Sequence, residues 1–132
     1  LEEGTARMAA QRATPADVAG LRERIRAHRE SLPRLEEFLS HDMGFHRELA
    51  RISGNPIFPV IVEALFDWAI EYYHSIVRAP GAEDLTLAEH ERIVDAIAGH
   101  DADGAEQAMR DHLLRANALY RRTEEQPARP PE

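Results

Sequence analysis

Apolar residues recur every three or four positions along most of the chain, and the strict alternation of a half-buried strand is absent. That period predicts helices, and turn-forming residues divide them into six segments. The first covers roughly Leu1–Ala13. The second opens at "TPAD", where Thr14 suits a cap, Pro15 the first helical position and Asp17 the third, and it runs to about Glu30. The third spans Pro33–Ser53 and closes on Gly54, a residue free to turn left-handed. Asn55 and Pro56 open the fourth, which continues to Val77 with Pro59 in its first turn, where a missing N–H costs least. After "APGAED", Thr86 is expected to cap a short fifth helix through Ala98, and Asp101 or Asp103 a long sixth helix to about Arg122. Residues 1–123 thus read as one domain, and the polar, proline-rich 124–132 as a flexible tail. Short connections between helices point to an all-α antiparallel bundle.

The pattern is broken at four places. Stepping by three and four from Leu35 passes through Phe38, Asp42, Phe45 and Leu49, so a carboxylate lies inside the apolar stripe, and His46 follows one turn later. In the fifth helix His90 stands one turn before Ile93 and Val94. In the sixth, His112 interrupts a stripe made of Ala105, Ala108, Met109, Leu113, Ala116, Leu119 and Tyr120. Three helices therefore deliver imidazole to the core side, and one adds a carboxylate. An unpaired buried carboxylate is strongly unfavourable. A divalent cation would satisfy all four groups, since neutral imidazole nitrogen and carboxylate oxygen are ordinary ligands of zinc, nickel, manganese and iron. The plainer alternative makes Asp42–His46 a simple pair and the others hydrogen-bonded core residues, each needing its own buried partner. Pattern alone leaves both open. The remaining histidines carry less: His28 and His41 fall on polar faces and His100 in a turn. Glu71 and His74 have the Glu-x-x-His spacing of di-iron bundles, but only one copy occurs where two are needed.

Composition narrows the function classes. The 132 residues fit one domain with a real core, and 43% apolar with 30% charged residues is a globular balance. A net charge of −8 repels phosphate backbones, so this chain by itself is a poor holder of nucleic acid. The absence of cysteine removes disulfides and thiolate chemistry and fits a reducing cytosol. The longest apolar region, "IFPVIVEALFDWAIEYY", is interrupted by Glu63, Asp67 and Glu71, so no membrane span is expected. The chain opens on Leu1, already in helical pattern, and reads as a piece of something longer.

The stretches "DMGFHRELARISGNP", "EHERIVDAI" and "DADGAEQAMRDHL", with "LEEGTARMAAQRATPADVAGL" before them, resemble in order and spacing the FCD effector-binding domain. This is the C-terminal domain of FadR-type regulators in the GntR superfamily. The resemblance implies an all-α bundle of six or seven antiparallel helices. It also implies a metal held by an aspartate and three histidines, matched here by Asp42, His46, His90 and His112, with zinc the first expectation. A small organic acid is expected to bind near the ion through its carboxylate. Asn55 matches the asparagine after "SG" and is a candidate contact for that acid, with capping of the fourth helix an equal account. Tyr73 could offer a hydroxyl, or simply pack; Arg78 could pair with a carboxylate, or face solvent. A homodimer and a cytoplasmic location follow from the same resemblance. FadR-type regulators carry a winged helix-turn-helix before this domain and nothing here resembles one, so DNA would be reached only through a preceding segment.

Two other classes compete. A metal-dependent enzyme needs a general base beside the ion; Glu89 adjoins His90, but adjacent helical residues point apart, and no His-Glu-x-x-His signature occurs. A metal-free helical interaction module would keep all four residues as polar core. The expectation is a sensor and not an enzyme.

Overall fold

A computed structural model describes the backbone of residues 1–72 and 82–125 and the side chains of residues 1–71 and 82–116. Six helices follow one another: α1 Glu2–Arg12, α2 Pro15–Glu30, α3 Leu35–Ile52, α4 Ile57–Tyr72, α5 Ala82–Ala98 and α6 Ala102–Glu125. No strand occurs among the described residues. The all-α expectation holds.

Local chemistry sets most boundaries. Thr14 and Asp17 form a reciprocal capping box, Asp17 N–H on Thr14 Oγ1 at 3.1 Å and Thr14 N–H on Asp17 Oδ2 at 3.0 Å. Gly54 takes φ +92°, a left-handed conformation that favours glycine, with the Arg12 guanidinium close by. Asn55 Oδ1 accepts the Ile57 N–H at 3.0 Å at the entry to α4. Asp101 Oδ1 does the same for Gly104 N–H at 2.9 Å and starts α6.

Two boundaries differ from expectation. Helix α5 begins at Ala82, not after Thr86, with Glu83 and Asp84 in its first turn where the helix dipole favours acid. Thr86 is buried one turn in and accepts a hydrogen bond from Arg115 at 2.9 Å, so its hydroxyl serves another helix. Helix α6 runs to Glu125. The rest of the expected tail, with Tyr73, His74 and Arg78, lies outside the described residues.

Helix α1 packs against α3, α5 and α6. Ala6, Ala9 and Ala10 are fully buried on it, and such small side chains let three helices approach one axis closely. Cross-helix pairs give the directions. Arg7 meets Asp103 while Glu3 meets Arg110, so α1 and α6 are antiparallel. Arg24 meets Glu48 while Asp17 meets Arg51, which sets α2 against α3. Thr86 meets Arg115 while Arg92 meets Asp111, which sets α5 against α6. Phe38, Phe45, Leu49, Leu87, Ile93, Val94, Ile97 and Met109 fill the space between. Polar groups on α3, α5 and α6 enter that core together.

Candidate metal centre

Asp42 and His46 stand one turn apart on α3, His90 comes from α5 and His112 from α6, so three helices meet at one point. One ligand atom from each lies within 4.8 Å of the others. The three histidines are 2%, 0% and 5% exposed, which rules out solvation as the explanation for their polar atoms. Asp42 Oδ1 lies 3.4 Å from His46 Nε2 and 3.3 Å from His90 Nε2. His46 Nε2 lies 3.3 Å from His112 Nε2.

Two of the three rings are held from behind. His46 Nδ1 faces Glu2 Oε1 at 2.5 Å, and His112 Nδ1 faces Glu89 Oε2 at 2.9 Å. Glu89 Oε1 is bound by Arg115, whose other nitrogen reaches Thr86. His90 has no such partner: neither of its nitrogens makes a hydrogen bond, nor does Asp42 Oδ1. Its plane is set by Phe45, stacked on it at 4.0 Å and 12°.

The electrostatics follow from these neighbours. Burial works against charge on His46, but the Glu2 and Asp42 carboxylates outweigh it and push the imidazole up to about 10. Burial pushes His90 down to about 3 against the pull of Asp42. Burial also opposes ionisation of Asp42, Glu2 and Glu89, yet the adjacent imidazoles, joined by Arg115 for Glu89, hold all three carboxyls below their ordinary values.

This donor set fits a metal ion. A carboxylate accepts only, so the Nδ1 atoms facing Glu2 and Glu89 carry protons in the neutral rings. The Nε2 atoms of His46 and His112 face each other at 3.3 Å, where the ion-free site holds the His46 proton and an ion would take that proton's place. An ion with bonds of about 2.0–2.1 Å separates tetrahedral ligands by about 3.3–3.4 Å, the spacing of Asp42–His46, Asp42–His90 and His46–His112, while the whole set lies within 4.8 Å. The two orphaned buried atoms Asp42 Oδ1 and His90 Nε2 would be satisfied by the same ion.

Glu2 escaped the sequence reading, and Glu89 was weighed there only as a base beside His90. Glu89 does not point away from the site; it backs His112 and is committed to Arg115, so it is no free base for an enzyme. His28 is a second correction. It is 1% exposed, not on a polar face, because it continues the stripe of Leu21 and Ile25 at helical spacing. Its ring packs on Phe38 at 4.0 Å, with neither nitrogen bonded.

Burial pushes the His28 imidazole down to about 4. A depressed histidine binds fewer protons folded than unfolded, so stability is lost as pH falls from about 6.5 towards 4. Chelator-treated protein should show a falling urea midpoint across that window, and His28→Leu should flatten part of the slope. An unchanged slope in the variant would refute the assignment to His28.

Comparisons with known proteins give the family and the fold. The FCD domain family profile covers residues 1–115. The chain belongs to the FCD domain family. The HTH-type transcriptional repressor NanR of Enterobacter sp. (strain 638) is 37% identical to this FCD domain over 121 residues, 90% of this chain and 46% of that protein. NanR of Escherichia coli (strain K12) is 36% identical over the same span. The chain thus covers about half the length of these relatives, which are named as repressors and not as enzymes. Among solved structures, E. coli McbR/YncC superimposes with a TM-score of 0.77 at 18% identity, over 92% of this chain and 59% of that one. Streptococcus agalactiae GntR gives 0.69 at 23% identity, over 93% and 54%. These two likenesses establish the FCD-type fold. No helix among the described residues is long and apolar enough to cross a membrane.

Proposed function

We propose that this chain is the ligand-sensing domain of a bacterial transcriptional regulator, in which Asp42, His46, His90 and His112 hold one divalent ion. The observation that carries the reading is the pair of opposed imidazole nitrogens, 3.3 Å apart and each backed by a carboxylate. The ion, zinc foremost and nickel, manganese or iron also compatible with the donors, supplies a Lewis-acidic point for an anionic oxygen. A small carboxylate effector fits that chemistry. Asp42 is the most exposed of the four, its side chain 20% accessible against 0–6% for the imidazoles, so the approach to the ion lies on its side. Asn55 is a second contact for the effector only if its side chain leaves the Ile57 N–H that it now accepts. Tyr73 and Arg78 stay candidates by sequence.

Regulation would run through a homodimer in the cytoplasm, with DNA held by a helix-turn-helix segment preceding this domain. The NanR relatives, HTH-type repressors about twice as long as this chain, support the DNA-binding part of that arrangement. The effector acts by binding one dimer arrangement more tightly than the other, since only differential affinity shifts an equilibrium.

Elemental analysis after chelator-free purification should find about one divalent ion per chain. Citrate, gluconate and lactate should then be screened for thermal stabilisation of loaded and chelated protein. A stabilising acid should act only on the loaded form. A chain that carries no metal and ignores added zinc would overturn the reading, and turnover of a stabilising acid would favour an enzyme.

A further inference from the structure

The four converging groups leave two nearly buried carboxylates with no role of their own. The Glu2 side chain is 14% exposed and that of Glu89 10%, and each faces the outer nitrogen of one imidazole and not the common point. We infer that Glu2 and Glu89 are the positioning residues of the metal centre: each fixes one histidine as the Nδ1–H tautomer and aims its Nε2 inward. This rests on the metal reading above and deepens it.

Both carboxylates act across helices. Glu2 reaches from the first turn of α1 to His46 on α3, and Glu89 from α5 to His112 on α6. Neutral imidazole has one N–H, and facing a carboxylate places it on Nδ1, which leaves the lone pair on Nε2. A metal-bound histidine held this way is fixed in both tautomer and ring angle. Glu89 is itself anchored, its second oxygen on Arg115 and Arg115 on Thr86, so the relay Thr86–Arg115–Glu89–His112 ties α5 to α6. His90 serves as an internal contrast. Its outer nitrogen is unbonded and stacking on Phe45 orients it, so a loss at Glu2 or Glu89 should register on one imidazole alone.

Charge agrees with the assignment. Asp42, Glu2 and Glu89 contribute three negative charges and Arg115 one positive, so a divalent ion brings the cluster to neutrality. Burying a neutral cluster avoids the large cost of isolated charge.

The test uses Glu2→Ala, Glu2→Gln, Glu89→Ala and Glu89→Gln in the 132-residue chain. Zinc affinity is measured by chelator competition, and imidazole tautomers by long-range ¹H–¹⁵N NMR of the zinc-loaded protein. The alanine variants should bind zinc roughly 10–100-fold more weakly. The glutamine variants should recover part of that, because the amide oxygen still accepts from Nδ1–H. Glu2→Ala should disturb the His46 signals only, and Glu89→Ala those of His112 only. Alanine variants within about twofold of the parent, or with unchanged imidazole signals, would overturn the inference. So would glutamine variants as weak as alanine, which would make charge and not positioning the cause. A parent chain that binds no zinc would overturn this inference together with the metal reading; normal parent binding with indifferent variants would overturn this inference alone.

Discussion

A His112→Ala chain is expected to fold and to gain nothing from zinc. In the parent, free zinc at a thousandfold excess over its dissociation constant adds about 4 kcal/mol to stability, worth roughly 10–20 °C in Tm for a domain of this size. His112 is the best residue at which to cut that gain. Its Nε2 stands 3.3 Å from His46 Nε2, so it is one wall of the space an ion would fill. Its removal leaves no orphaned charge behind it, because Glu89 keeps Arg115. Loss of His46 would be less clean, since Glu2 would lose its imidazole and Asp42 one of its two. Differential scanning fluorimetry of chelator-treated protein, with and without added zinc, reads the difference directly. Undiminished stabilisation in the variant would eliminate His112 from the site.

The inner ring of this centre was legible because it breaks the helical pattern. Asp42 interrupts a stripe that otherwise reads Leu35, Phe38, Phe45, Leu49, and His90 and His112 interrupt two others. A polar residue on a core face demands an explanation, and three helices supplying them together suggest a shared one. The outer ring broke no rule and stayed hidden. Glu2 is an acid in the first turn of a helix, where acids are common for reasons of dipole alone, and 44 positions separate it from His46. Glu89 sits beside His90 in sequence, and the angular argument that turned it away from His90 was sound. The residue it serves is His112, on a helix whose register against α5 cannot be read from one chain. Thr86 misled for the same reason: a threonine before a helical run is ordinarily a cap, and this one answers an arginine on α6. Helix periods and caps are local and follow from sequence. Which partner a buried side chain finds depends on packing between helices, and that only the structure supplies.

Replacing Phe45 by alanine should cost about 3–5 kcal/mol, a large share of the roughly 5–15 kcal/mol that holds a domain together. Phe45 is 1% exposed at the centre of α3, and its ring does two jobs. It fills the core, and it lies flat on His90 at 4.0 Å while meeting His46 edge-on at 5.7 Å. His90 has no hydrogen bond to orient it, so this stack is its main constraint. Leu49, fully buried one turn further along the same helix, separates the two roles. Leu49→Ala should cost a comparable 2–5 kcal/mol and leave zinc affinity near that of the parent. Phe45→Ala should lower both the urea midpoint and the zinc affinity. Phe45→Leu keeps most of the volume and should lose less stability than Phe45→Ala, yet weaken zinc binding, because no flat ring remains against His90. Equal zinc affinities in Phe45→Leu and Leu49→Ala, measured in the same buffer on folded protein, would show that the stack does not orient the ligand.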